Sequence, residues 1–539
     1  MKKINLRHGV FWPPFILLLV AGLFSLLYPD LFLEKVNIAN NWLLDNVGWL
    51  FSLSGLLMLV VVIAVYFSPL GRYRIGGKDA KPMLSMKNWL AITLCTTIAA
   101  GVTFWGIVEP IYHLVTPPES LGLEANSAEA AIFSMSTMYL HWTVTPYAIY
   151  CVPALMFAFA FYNMRKSFSL SSTLAPLLGK RTDGKFSSFI DGISLYTLAL
   201  GMASAMGTAV LNLAGGVHYL TGWESNTVMW AIIAAITMIT FTISASTGLM
   251  KGIRILSNIN MNVYIIIVLF IFITGPMTFI VNLGTESFGH YLTNFFEKSL
   301  FTGAAAGDMW PKWWTVFYWA NWFAWAAITA MFLGRIGYGY TVRTFIAVNF
   351  VFPSIFGALW MTIFGGTAIH KQLTDGTLGD ILNNFGAESV LYAVLADVPL
   401  SMIVIPFYLF IVFISFVTAS DSNISAMGGI SSHGISPESQ EAHIIIKVMW
   451  GTAVGIIAWV MLSFAKIDGI KILSNLGGIP ALILCLAIVG SLLKVAYNPA
   501  KYDVTEQVKR EESYKDTVLQ REVNNNLENE KDLVESNNN

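Results

Sequence analysis

Charge is scarce in this chain. Asp, Glu, Lys and Arg make up 12% of its 539 residues and the formal net charge is −1, which excludes a basic surface for nucleic acid and falls well short of a soluble domain's usual share. Cysteine is scarcer: Cys95, Cys151 and Cys485 all sit inside apolar runs, so neither a disulfide framework nor a zinc site is expected. There is no nucleotide-binding loop and no metal-binding motif, and no ionisable residue has an evident catalytic partner in sequence. No enzyme activity, cofactor or metal is expected.

What the chain has in quantity is apolar surface. Hydrophobic residues reach 55% and the mean hydropathy is +0.64, more than a soluble core can bury. Runs long enough to cross ~30 Å of hydrocarbon fall near residues 11–28, 49–68, 89–115, 131–161, 187–215, 226–245, 258–282, 313–333, 344–366, 398–418, 443–465 and 473–495. They predict an all-α polytopic membrane protein of twelve transmembrane helices, with one membrane domain over residues 1–500. The first run has a basic flank like a signal peptide, but it carries Pro13 and Pro14 and lacks a small-residue cleavage pattern, so it is read as the first helix.

Lysine and arginine set the expected orientation. Alternate connections, starting with Lys2, Lys3 and Arg7 and ending with Arg335 and Arg343, hold seventeen of them; the opposite connections hold six. Both termini are therefore expected in the cytoplasm. Residues 288–301 space their apolar side chains as an amphipathic helix on the outer surface would. The end of the chain, 501–539, has ten acidic and five basic residues after Lys501 and reads as a solvated, charged tail.

Chemistry is expected where spans contain small or polar residues at mid-depth. In the third span, Thr96 to Gly101 lacks bulk on any face, which allows either local unwinding around a ligand or close helix packing. Aromatics are more informative. The eighth span runs WWTVFYWANWFAW from Trp313 to Trp325, and Trp319, Trp322 and Trp325, three apart, would line one drifting face. In the fourth span, Trp142, Tyr147 and Tyr150 fall within an arc of roughly 140°, with Pro146 opening the backbone between them. Two such faces can make a box for a trimethylammonium group, which has no N–H to donate and is attracted by ring quadrupoles; core packing explains the same stripes. Glu109 reads as a structural hydrogen-bonding carboxylate in preference to a proton relay, His141 as packed and neutral, and Asp421 as a cap or pair near a helix end.

These segments resemble a known family. The run WTVFYWANW (Trp314 to Trp322), followed by MFLGRIGYGYTVRTFI, is similar to the signature of the betaine/choline/carnitine transporters, as are FWGIVEP (Phe104 to Pro110), HWTVTPYAIY (His141 to Tyr150), KGIRILSNINM (Lys251 to Met261) and FVTASDS (Phe416 to Ser422). The resemblance spans residues 10 to 495. It implies two inverted five-helix repeats, helices three to seven (89–282) and eight to twelve (313–495), preceded by two helices, with a homotrimer in the bacterial inner membrane. It implies a quaternary-ammonium substrate such as carnitine, γ-butyrobetaine, glycine betaine or choline, bound by Trp142, Tyr147, Tyr150 and Trp322, with Tyr112 matching a further tyrosine of the carnitine exchangers. Tyr147 stands where a tryptophan is usual, and Asn321 where the first Trp of a pair is usual, so the box is smaller or more polar. Leu198 and Met202 replace two threonines of sodium-driven members, and Ala419 replaces a serine after Thr418. Arg254 matches the arginine that fills the second sodium site in sodium-independent exchangers, although Thr329 lies where those exchangers carry methionine. The implied activity is exchange by alternating access. Alternatives are a sodium- or proton-coupled symporter, or a carrier of another small amine or a sulfonium solute; a channel or a membrane enzyme would need a polar pore or clustered acid–base residues.

Overall fold

The structure, a computed structural model, describes residues 5–182, 184–246, 252–435 and 442–507; the expected tail lies outside them from residue 508 on. Among these residues every regular element is helical, apart from two isolated β-bridges, Leu6 to Ser432 and Arg74 to Thr341. In a hydrocarbon environment helices satisfy every backbone group within the segment. The long elements are α1 (His8–Leu27), α2 (Pro29–Phe67), α3 (Met86–Val115), α4 (Ala128–Trp142) and α5 (Val144–Ala158), followed by the single turn α6 (Ala175–Leu178) and then α7 (Lys185–Thr221), α8 (Thr227–Ser246) and α9 (Gly252–Thr274). Next come α10 (Met277–Thr293), α11 (Phe295–Leu300), α12 (Phe317–Ile336), α13 (Val342–Ile346), α14 (Phe352–Trp360) and α15 (Gly366–Asp375). The chain continues through α16 (Thr377–Phe385), α17 (Ala387–Ala396), α18 (Ser401–Ile430) and α19 (Ile444–Tyr497).

Among the described residues, ten helices are long and apolar enough to cross a membrane, and eleven if bent α3 is one span. The expected eleventh and twelfth spans form the single run α19 of 54 residues, interrupted where Lys466 takes a left-handed φ of 46°. The seventh span ends earlier than expected, at Thr274 and not near 282: Gly275 and Pro276 break the helix, because Pro276 has no N–H to continue it. Beyond the break, the buried Ile280, Leu283, Gly284, Ser287 and Tyr291 of α10 recur at helical spacing, so the amphipathic helix expected from residue 288 begins eleven residues sooner.

Burial orders the bundle. Nearly every residue of α4, α5 and α12 is buried, whereas α1, α2, α8 and α9 expose one apolar side, with Leu17, Trp49, Ile236 and Ile266 among the exposed residues. The aromatic-rich helices are therefore the centre, and α3, α7, α18 and α19 pack around them.

Candidate functional site

Two backbone interruptions shape the centre. Thr143 (φ −120°, ψ −117°) separates α4 from α5, and Pro146 sits in the first turn of α5, where a missing N–H costs little. The break leaves carbonyls of α4 without helical partners. One of them, His141 O, accepts the indole N–H of Trp322 at 3.2 Å; Trp142 O faces Gly357 of α14, where any Cβ would clash. The second interruption is a 50° bend of α3 between Ile98 and Gly101. Gly101 lies under the indole of Trp142, and a Cβ there would stand 3.1 Å from Cη2.

Around these breaks four rings meet. The Trp322 ring lies 5.6 Å from Trp142, 5.7 Å from Tyr147 and 5.1 Å from Tyr150, all edge to face. None of the four is more than 4% exposed. Trp142 also meets Tyr318 at 5.3 Å. The hydroxyl of Tyr147 is buried without a hydrogen-bond partner among the described residues, an arrangement that costs ~1–3 kcal/mol unless a ligand group completes it.

The other two tryptophans do not share this face. Trp319 lies against Gly55 of α2, and Trp325 against Gly201 of α7. Three residues turn a helix by only about 300°, so the stripe drifts from one interface to another within two steps. Tyr112, partly buried, packs on Trp314 at 4.9 Å and reaches the four rings only through intervening aromatics. Asn321 points away from them and accepts from Ser474 Oγ of α19 at 3.0 Å.

A polar cluster lies between α3, α12 and α18. Thr329 Oγ1 donates to Asn423 Oδ1 at 2.7 Å, Thr418 Oγ1 donates to its own helix at Ile414 O (2.6 Å), and the hydroxyls of Thr96 and Ser422 are 3.2 Å apart. Arg254 is exposed near the start of α9, where its carbonyl accepts from Asn258 (2.7 Å). Among the described residues no hydrogen bond joins it to Thr418 or Thr329. Leu198 and Met202 of α7 are fully buried.

Above the rings, the connections are tied down. Asp308 accepts from Ser120 N and Oγ at 3.0 and 2.7 Å and from Trp310 N at 2.9 Å. Partial burial works to raise its carboxyl, and these hydrogen bonds outweigh that and hold it below the usual range. Lys298 of α11 is buried, with Nζ donating to Thr137 Oγ1 at 3.0 Å and standing 3.9 Å over the Phe133 ring. Desolvation pushes its ammonium down to about 7, against a smaller opposing effect of Glu297.

Sequence reasoning flagged Glu109 and His141 singly and missed that they meet. Glu109 Oε1 takes hydrogen bonds from His141 Nδ1 (2.7 Å) and His113 Nε2 (3.1 Å), and Oε2 accepts Trp142 Nε1 (2.7 Å). The signal available was the four-residue spacing of Glu109 and His113 on one helix face. Asp421 accepts from Ser244 Oγ at 2.5 Å, joining α18 to α8.

The many apolar helices of this bundle, with a buried aromatic cluster at backbone breaks in its middle, are those of a polytopic membrane protein. Residues 9–501 match the family model described as betaine/carnitine/choline family transporter, and the chain belongs to that family; it is a transporter and not an enzyme. Relatives include a betaine/ectoine transporter of Corynebacterium glutamicum, 31% identical over 93% of this chain and 79% of that one. An ectoine/hydroxyectoine transporter of Virgibacillus pantothenticus is 27% identical over 92% of this chain and 97% of its own length. A glycine betaine transporter of Bacillus subtilis is 29% identical over 90% of this chain and 94% of its own.

Proposed function

We propose that this protein is a secondary transporter of compact quaternary-ammonium solutes, with glycine betaine, carnitine, γ-butyrobetaine and choline as the class, working by sodium-independent exchange. The observation that carries this reading is the convergence of Trp142, Tyr147 and Tyr150 on Trp322. Each desolvated ring contributes on the order of 1–2 kcal/mol toward a methylated ammonium, and the set can offset much of its dehydration. The Tyr147 hydroxyl supplies a donor for a carboxylate at the other end of the solute. Relatives named for betaine and ectoine point to the same size and zwitterionic character. Because the rings are sealed from solvent, a solute enters only when helices move apart, which is what alternating access requires.

Twelve spans result if bent α3 is counted once and α19 twice: 54 residues extend ~80 Å at 1.5 Å each, more than two membrane thicknesses, and Lys466 divides the run. An even number places both termini on one side, and the cationic connections make that side the cytoplasm. Two inverted repeats over 89–282 and 313–495 and a homotrimer in the bacterial inner membrane complete the reading. Sodium independence is supported by apolar Leu198 and Met202 and by a Thr418 hydroxyl engaged with its own helix; Arg254 supplies the fixed charge. A second reading, sodium-coupled symport, is favoured by the hydroxyls of Thr96 and Ser422 meeting across α3 and α18.

Uptake of radiolabelled betaine, carnitine, γ-butyrobetaine, choline and ectoine into proteoliposomes tests both. Sodium-independent uptake stimulated by internal solute supports exchange, an absolute sodium requirement supports the second reading, and no uptake of any of them refutes the substrate class.

A further inference from the structure

Glu109 is fully buried and accepts three N–H donors, from His113, His141 and Trp142. An ionised carboxylate only accepts, so both imidazoles are used as donors toward it. His141 is complete, because Nε2 meets Thr315 Oγ1 at 3.1 Å. His113 is not: its Nδ1 is buried with no hydrogen-bond partner among the described residues. In this arrangement the three side chains carry one negative charge and one open basic nitrogen, and a single proton added at His113 Nδ1 makes them neutral.

Other charges face the cluster from every side. Lys298 of α11 is bonded to Thr137, one turn before His141. Lys471 of α19 stands 4.1 Å over the Trp314 ring, which is 4.7 Å from His113, and Asp468 lies three residues before it. Tyr318 of α12 stacks on His141 at 4.6 Å. Tyr112 shares α3 with Glu109, and Asp468 and Glu388 of α17 act on it electrostatically. A cleft lined by Glu129, His290, Glu297, Lys298 and Phe133 opens beside α4, and two rings separate it from His113. Phe133 packs on Trp310, and Trp310 on His113.

We propose that Glu109, His113 and His141 form a proton-binding site that is coupled to the ligand cage through the Trp142 indole, so that proton uptake and cation binding oppose each other. Trp142 donates its N–H to Glu109 and presents its ring to Trp322. A cation in the cage thus lies ~7 Å, about the span of an indole, from the carboxylate. The proton adds at His113 Nδ1, beyond the carboxylate by one hydrogen bond and one imidazole and so ~11 Å from that cation; at an effective dielectric of ~20 one added charge at that distance weakens binding about tenfold. Linkage requires the converse, that a bound cation releases a proton. The inference rests on the reading of the four rings as a ligand cage.

The test uses the purified full chain with EDTA present. Glycine betaine binding is followed by tryptophan fluorescence at pH 4 and 8.5, because burial disfavours a charged imidazole and acid is needed to load the site, and proton release by an indicator dye in weak buffer at the acid end. The expected result is a Kd at least about twofold higher at pH 4, a fraction of a proton released per betaine bound, and loss of both effects in Glu109→Gln and in His113→Asn, which lies outside the cage. Saturable binding with equal Kd at both pH values and no proton release would overturn the inference and leave the cage reading intact. No binding of betaine, carnitine, choline or ectoine at either pH would overturn both. One carboxylate oxygen and one nitrogen of each imidazole lie within 4.8 Å of one another, so a pH dependence seen in a parallel run without EDTA but absent with it would also overturn the inference, assigning the cluster to a metal ion.

Discussion

Replacing Trp322 by alanine removes the ring that the other three share. Its indole is the common neighbour of Trp142, Tyr147 and Tyr150, so the change both deletes one wall and frees the rest to collapse. One desolvated ring at ~2 kcal/mol corresponds to about thirtyfold in Kd, and the lost bracing makes that a lower bound. The same substitution costs the fold ~3–5 kcal/mol, so affinity and folding must be read separately. Two comparison variants do this. Trp322→Phe keeps a six-membered ring and loses the pyrrole ring with the N–H that reaches His141 O; its Kd should stay within about fivefold of wild type. Trp325→Ala opens a similar hole against Gly201 of α7 and should lower the melting temperature without changing Kd by more than about twofold. Betaine binding in detergent, with gel filtration and thermal unfolding of each variant, gives the readouts. A monodisperse Trp322→Ala protein with near wild-type affinity would refute the cage.

Gly101→Leu should raise Kd by at least about tenfold in the same assay, because its side chain enters the space of the Trp142 indole. Tyr147→Phe removes the unpartnered hydroxyl; binding of betaine should weaken several-fold while that of choline, which has no carboxylate, stays level, and equal losses would show that the hydroxyl does not read the carboxylate. Lys298 has a folded-state pKa of about 7 against an ordinary 10.5. Between those values the unfolded chain binds more protons, so stability rises with pH across that window, by at most about 1.4 kcal/mol per unit. Melting curves at pH 7 to 10 should show the rise, and Lys298→Met should flatten it. Arg254→Ala should cut sodium-free exchange in proteoliposomes at least about tenfold, and unchanged exchange would remove Arg254 from coupling.

Much of the fold was legible because lipid makes the problem nearly one-dimensional. Apolar runs set where most spans lie, since a segment without water must satisfy its own backbone. The meeting of Trp142, Tyr147, Tyr150 and Trp322 could be anticipated from family-like motifs, and Pro146 signalled an opening of the backbone. The arc drawn for the three fourth-span residues assumed an unbroken helix, however, and Thr143 interrupts it. The tryptophan stripe of α12 misled for a related reason: helical spacing says which residues drift around a helix, not which neighbour each one meets. The end of the seventh span was misplaced because apolar residues run on through α10, and only the Gly275–Pro276 pair marks where the chain leaves the span. The Glu109 cluster needed the packing of α3 against α4, and no spacing within either helix contains that information.

The two tryptophans of the proposed cage are held in opposite ways, and this bears on where specificity can lie. Trp322 hangs from a backbone carbonyl of α4, and Trp142 from a buried carboxylate of α3. Each indole has spent its only donor on the protein, so neither is available to hydrogen-bond a solute without breaking a bond that positions its ring. The family resemblance usually places a third tryptophan where Tyr147 stands, which would add a larger face and an N–H. Here that position carries a smaller ring and an uncommitted hydroxyl. On the proposed reading the rings rank solutes only by cationic size and shape, so discrimination among betaine, choline and ectoine would fall to Tyr147 and to the backbone at the bend of α3. Substitutions at Tyr147 should therefore reorder substrates, whereas those at Trp142 and Trp322 should weaken all of them together.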